Sequence, residues 1–238
     1  MKLRHITFTG IDARTDLQEL RNIQRQYPIA EFGVLTSYHW YENGNRYLNP
    51  QFLCNFWGQG LNLALHICGL AAHDAADGNW YAIDSHTIQC LGLFRRVQLN
   101  VANRTDTPFR LTCAPDGNTE VIIQQKGKHE IKFFQRSQWV GTVSVLLDAS
   151  GGQGIDTPID VLPNKFDNGV SCFKVGYAGG INPDNVADKL AFLMENEDVG
   201  DFWIDMESGV RTDDWFDISK VRKVLEICEP IIKKYEDD

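Results

Sequence analysis

The stretch LNLALHICG, residues 61–69, is the most informative in the chain about how the whole folds. Side chains alternate across a β-strand, so Leu63, Leu65 and Ile67 share one face while His66 and Cys68 share the other, near the carboxyl end. One face suits packing under helices, and the other gathers chemistry. The same division recurs twice. In VSVLLD, Val145 and Leu147 oppose Ser144, Leu146 and Asp148, and in VQLN, Val97 and Leu99 oppose Gln98 and Asn100. Polar side chains at strand ends, all on what would be an inner face, are the arrangement expected at the mouth of a barrel.

Read outward from there, the chain holds eight β-rich runs: Leu3 to Thr9, Phe32 to Thr36, Leu61 to Ile67, Arg96 to Val101, Glu120 to Gln124, Val143 to Asp148, Cys172 to Tyr177 and Phe202 to Met206. Between the first two, DARTDLQELRNIQRQYP repeats Leu17, Leu20, Ile23 and Tyr27 at helical spacing and stops at Pro28. Near the end, Ile218, Val221, Val224 and Leu225 line one helical face, and Lys233 and Lys234 suit a helix C-terminus. Segments 103–118 and 151–169 contain little that reads as a full helix, so loops or single turns are expected there. Strands joined through helices require a parallel sheet, and eight such units predict one TIM (β/α)8 barrel domain of the α/β class over residues 1–238. A length of 238 residues fits that architecture.

The composition excludes several classes. With 43% hydrophobic and 23% charged residues the chain is globular, neither disordered nor fibrous. A net charge of -9 opposes a broad grip on nucleic acid or an anionic membrane, so an anionic ligand would need a local site. No apolar run is long enough to span a bilayer and no cleavable leader is evident, which makes the expected location cytoplasmic. The six cysteines are scattered without finger-like spacing, and His66, Cys68, His73 and Asp74 match no known ligand pattern. Neither a metal nor a cofactor is expected.

Four segments, in order, carry a resemblance: TFTGIDARTDLQEL (7–20), VLLDASGGQG (145–154), YAGGINPDNV (177–186) and WIDMESGVR (203–211). Together they resemble the phosphoribosylanthranilate isomerases, (β/α)8 barrels of tryptophan biosynthesis. That resemblance implies a small phosphorylated sugar as ligand and Asp148 as the general acid of an Amadori rearrangement. It places Gly179, Gly180, Ser208 and Gly209 on the phosphate, Arg46 on a substrate carboxylate, and Asp205 at the family's strand-eight aspartate. Backbone N–H groups in such glycine turns are themselves suited to an anion, and a guanidinium fork to a carboxylate. A tight turn with Asn182 capping a helix begun at Pro183 accounts for the same glycines without a ligand.

The departures are as specific as the matches. The family's catalytic cysteine is replaced by Thr9, whose hydroxyl is too weak an acid to ionise unaided near neutral pH. Cys68 beside His66, or Asp12, could supply a displaced base, although a small buried core thiol and a satisfied inner-face histidine explain Cys68 and His66 better. Glu207 replaces a family serine and would repel a phosphate unless it turns away or pairs with Arg211. The loop with Tyr38, Trp40 and Tyr41 is longer and more aromatic than the family's, and would form a lid or cover apolar surface. Two functions follow: an active aldose–ketose isomerase, or a repurposed phosphosugar-binding barrel acting as sensor or partner protein. A monomer and a homodimer are both compatible with the sequence.

Overall fold

A computed structural model describes residues 3–38, 44–101, 119–125, 143–150, 153–159, 174–196 and 199–236. Eight parallel strands follow one another around a closed barrel: β1 (Leu3–Thr9), β2 (Ala30–Thr36), β3 (Leu63–Cys68), β4 (Arg96–Asn100), β5 (Glu120–Gln125), β6 (Val143–Asp148), β7 (Val175–Ala178) and β8 (Phe202–Met206). Closure is made by β8 against β1, in a register that pairs Thr7 with Asp205. Three strands coincide with the runs read from the sequence, and four others differ by one or two residues at one end or, for β3, at both. The run begun at Cys172 starts, within the described residues, at Val175. Segment 103–118, most of 151–169, and Trp40 and Tyr41 lie outside the described residues.

Among the described residues, five α-helices stand on the outside: α1 (Leu17–Gln26), α2 (Leu70–Ala76), α3 (Ser85–Gln89), α4 (Val186–Glu195) and α5 (Ile218–Glu236). Asp16 starts α1 by accepting from the Gln18 N–H at 2.8 Å, and Leu20 and Ile23 turn inward to the barrel. The long α5 buries Val221, Val224, Leu225 and Cys228 and ends with Lys233 and Lys234 near its carboxyl end. After β8 the chain adds a short antiparallel hairpin, β9 (Arg211–Thr212) and β10 (Trp215–Phe216). Its two turn residues, Asp213 and Asp214, both have positive φ.

The main apolar core fills the space between strands and helices, with Ile6, Phe8, Phe32, Val34, Leu65, Ile67, Val145 and Leu147 all directed outward from the barrel. Each such burial is worth roughly 1.5–3 kcal/mol. The barrel interior is different. Among the described residues, Ile122, Leu146 and Trp203 form a separate apolar cluster there, packed against Ala178. Gly176 makes room for Trp203, because a Cβ on it would lie 2.1 Å from the indole.

Beneath that layer the interior is charged. The Arg96 guanidinium lies 4.1 Å from the Trp203 ring centroid and donates to Glu31 at 2.7 Å, with Glu120 at 3.9 Å. Thr7 donates to the same Glu31 oxygen at 2.9 Å, while Glu120 receives Lys174 at 2.7 Å and the Ser144 hydroxyl. Burial works against the charged form of Glu120, yet Arg96, Lys174 and Ser144 outweigh it and hold the carboxyl below its usual range.

Glu31→Gln, which leaves the Arg96 charge without its nearest anion, is expected to cost about 3–5 kcal/mol in urea unfolding. Arg4→Ala, which breaks an exposed pair with Asp201, should cost less than about 1 kcal/mol. Equal losses would show that the interior pair has no special weight. Replacing both Glu31 and Arg96 by Met should recover part of the single-variant loss.

Candidate active site

The carboxyl ends of the strands surround a cavity of about 390 Å3. Into it come Thr9 from β1, His66 and Cys68 from β3, Gln98 and Asn100 from β4, Gln124 from β5, Asp148 from β6, and Asp205 with Glu207 from β8 and its end. Arg46 and Tyr47, from the loop after β2, form part of the wall, and Leu35 bridges to Tyr47 as an isolated parallel pair. The inward face inferred from residues 61–69 is thus the face that lines the site.

Asp148 is held from several sides. Its Oδ2 accepts from the Gln124 amide at 2.8 Å, and its Oδ1 accepts from the Ser150 hydroxyl at 2.8 Å and the Ser150 N–H at 3.0 Å. The signal for Ser150 was its place two residues after the aspartate, the spacing of a side chain bonding its own turn. Gln124 carried no such signal, because its contact depends on the β5–β6 register.

Asp205 is the unusual carboxyl. It is 5% exposed, its Oδ1 accepts from the Thr9 hydroxyl at 2.8 Å, and its Oδ2 lies 4.0 Å from His66 Nδ1. Burial pushes it up to about 7, with Glu207 and Glu31 adding to the rise and the Thr9 bond and Arg96 opposing it. Thr9, the residue at the family's cysteine position, therefore serves as a hydrogen-bond donor to this carboxyl.

The structure argues against the displaced bases considered from sequence. Burial pushes His66 down to about 3, helped by Arg96, and Gln98 Nε2 sits 3.1 Å from His66 Nδ1, where a neutral ring accepts. Burial pushes the Cys68 thiol up to about 12, despite bonds from Tyr47 and from Asn100 Nδ2 at 3.1 Å. A neutral imidazole beside a protonated thiol is no activated pair. Asp12 does not line the cavity; its Oδ2 accepts the Phe216 N–H at 2.6 Å and lies 3.5 Å from Arg211, which fastens the β9–β10 hairpin to the loop after β1.

Arg46 reaches the cavity already engaged. Its Nη1 donates to Glu207 at 2.9 Å and its Nε to Asp214 at 2.7 Å. The partner expected for Glu207 was Arg211, but that guanidinium donates to the Gly10 and Asp214 carbonyls, each at 2.6 Å. The Asp213–Asp214 turn brings Asp214 to both arginines, a contact that sequence reading missed because it depends on a tertiary turn.

Gly179, Gly180, Ser208 and Gly209 lie beside the cavity rather than on its wall. The loops after β6, β7 and β8 pack on one another there. A Cβ on Gly180 would lie 2.3 Å from the Asp156 N, and one on Gly209 would lie 2.0 Å from the Ile181 carbonyl. Among the described residues, no hydrogen bond from the Gly179 or Gly180 N–H to an acceptor is found. Lys189, a cation the sequence reading overlooked, ties this corner together: it pairs with Asp156 at 2.8 Å and donates to the carbonyls of Thr157 at 2.7 Å and Gly179 at 3.4 Å. The helix expected at Pro183 begins instead at Val186. Asn182 accepts from the Asp184 N–H at 2.8 Å, and this bond closes a turn ahead of the helix.

A closed barrel of eight parallel strands with carboxyl side chains gathered in a cavity at the strand ends defines a (β/α)8 barrel. Residues 116–227 match the family model of N-(5'-phosphoribosyl)anthranilate isomerase. Two solved structures share the fold. N-(5'-phosphoribosyl)anthranilate isomerase from Pyrococcus furiosus aligns with a TM-score of 0.54 and 13% identity over 95% of this chain and 98% of its own. Phosphoribosyl anthranilate isomerase from Thermococcus kodakaraensis gives 0.51 and 14%, over 94% and 98%. No curated protein matches the sequence. The chain is thus similar to the phosphoribosylanthranilate isomerases in fold, and over residues 116–227 in sequence. The matched span contains Asp148, Gly179, Gly180, Asp205, Ser208 and Gly209, while Thr9, Arg46 and Cys68 fall outside it.

Two measurements follow from the cavity's electrostatics. Unfolded aspartate titrates near about 3.9, whereas folded Asp205 keeps its proton up to about 7, so stability falls as pH rises between those values and is level above them. Asp205→Asn should therefore raise Tm at about pH 8.5 and change it little at about pH 4, as read by differential scanning fluorimetry. Iodoacetamide at about pH 8 should alkylate the exposed Cys54 and spare Cys68, whose thiolate fraction there is on the order of 10⁻⁴. Rapid labelling of Cys68 in peptide mass maps would contradict a thiol that keeps its proton at this pH.

Proposed function

We propose that this protein is a sugar-phosphate isomerase of the phosphoribosylanthranilate isomerase type, converting a phosphorylated aminoaldose into the aminoketose at the mouth of its barrel. The observation that carries the reading is Asp148, held by Gln124 and Ser150 at the end of β6 and lining the cavity. In this role Asp148 protonates the furanose ring oxygen as the ring opens to an iminium. The phosphate would lie at the Gly179–Gly180 and Ser208–Gly209 turns, met by backbone N–H groups. Lys189 adds positive charge at that corner. Four cysteines among the described residues are free thiols, in keeping with work in the cytoplasm.

A second reading, a phosphosugar-binding barrel turned to sensing or partnership, draws on Arg46. Its guanidinium is bound by Glu207 and Asp214, so a substrate carboxylate would have to displace one of them. Under this reading the ligand persists and the aglycone or the reaction differs.

Expression in a tryptophan auxotroph that lacks the isomerase separates the two. The isomerase reading expects growth with the wild-type chain and none with Asp148→Asn. Absence of growth together with a thermal shift by ribose 5-phosphate would favour the binding protein. If neither growth nor a shift occurs, the phosphosugar reading itself falls.

A further inference from the structure

The cavity holds an acid for ring opening and lacks a thiol where the family has one, which leaves the proton on C2 of the sugar without an assigned acceptor. Setting aside His73, which stands on α2 rather than at a strand end, the titratable groups lining the cavity can be weighed in turn. His66 is too weak a base, its ring facing Gln98 at 3.1 Å in a buried setting. Cys68 holds its proton, as does Tyr47, whose hydroxyl burial pushes well above its usual range. Glu207 is occupied by Arg46 at 2.9 Å, and Asp148 already serves the ring oxygen. One carboxyl is left that combines burial, position and an anchored orientation.

We propose that Asp205, oriented by the Thr9 hydroxyl across the β8–β1 seam, is the base that takes the C2 proton in this barrel. The inference rests on the isomerase reading above and assigns the group that reading lacks. The geometry has three parts. Asp205 lines the cavity that Asp148 also lines. The Thr9 bond at 2.8 Å engages Oδ1. Among the described residues no hydrogen bond to Oδ2 is found, and the neutral His66 imidazole lies 4.0 Å from it. Every element facing this carboxyl is accounted for: Thr9 on β1 donates to it, Glu31 on β2 repels it, His66 on β3 is neutral, Arg96 on β4 attracts it, and Glu207 beyond β8 repels it. A carboxyl buried in this balance titrates at about 7, close to the optimum for a general base at neutral pH.

The step balances within the substrate. Asp148 gives a proton to the ring oxygen as the C1–O bond breaks and the nitrogen lone pair forms the iminium. Asp205 then takes the C2 proton, and the C2–H electron pair becomes the C1=C2 bond of an enolamine while the nitrogen regains its lone pair. Ketonisation returns a proton to C1 and removes one from the C2 hydroxyl. No oxidant or second reactant enters. The hydroxyl of Thr9 never ionises, and its part is to position Asp205.

The test uses phosphoribosylanthranilate as substrate, with the intact chain. Asp205→Asn should lower kcat by on the order of 10²–10⁴-fold with little change in KM, and formate should restore activity to Asp205→Ala. The wild-type kcat/KM should climb with pH to a plateau above about 7. Thr9→Val, which removes a bond favouring the charged form, should move that limb to higher pH while most of the plateau survives. If the wild type turns over and Asp205→Asn stays within about tenfold of it, the base assignment is overturned and the isomerase reading stands. Should the wild type fail on this substrate, the reading and the base assignment fall together. Because Asp205→Asn is expected to be the more stable protein at alkaline pH, loss of folding does not mimic loss of the base.

Discussion

A guanidinium with 2% of its surface exposed, lying over an indole in the middle of a barrel, constrains almost everything around it. Arg96 needs an anion, which obliges β2 and β5 to bring Glu31 and Glu120 to the same depth, and the Thr7, Ser144 and Lys174 contacts follow from those carboxylates. It also needs its flat face covered, which places Trp203 on β8, and Trp203 in turn leaves β7 no side chain at position 176. Buried charge of this kind adds little net stability compared with an apolar core of the same shape, but it penalises any register that separates its members. In a barrel, where a slip by one residue turns every side chain to the opposite face, that penalty keeps the polar mouth polar.

The same ions reach upward into the site. Arg96 attracts charge on Asp205 and opposes charge on His66, while Glu31 opposes it on Asp205. A network that specifies the strand register thus also tunes two groups in the cavity above. Thr9 fits the same account. At this position a thiol could itself ionise, whereas the threonine hydroxyl keeps its proton and donates a hydrogen bond to the ionisable Asp205 of the neighbouring strand.

How far the sequence could be read depended on the range of the interaction involved. Eight strands were visible because each carries its own period of two, and β1, β6 and β8 ended where their punctuation said. The inward face of Gln98, Asn100, His66 and Asp148 followed from the same alternation, while Asp205 was marked by the family resemblance alone. What escaped were contacts that join distant segments: Arg46 to Asp214, 168 residues away, Gln124 to Asp148, and Lys189 to the loop at Thr157. Lys189 looked like an ordinary helix lysine and Asp214 like a loop acid. Motif glycines were legible as glycines but not as packing, since only the assembled loops show that Gly180 and Gly209 accommodate neighbouring backbone.

The bond from Thr9 to Asp205 joins residues 196 positions apart, and Arg211 reaches Gly10 over 201. Contacts this distant in sequence must wait until nearly the whole chain is available, and they form late and slowly compared with helices. A nascent chain that has assembled seven strands therefore has Asp148 in place and an open seam, with Asp205 still absent. In such a molecule, the polar mouth is completed by the same step that closes the barrel.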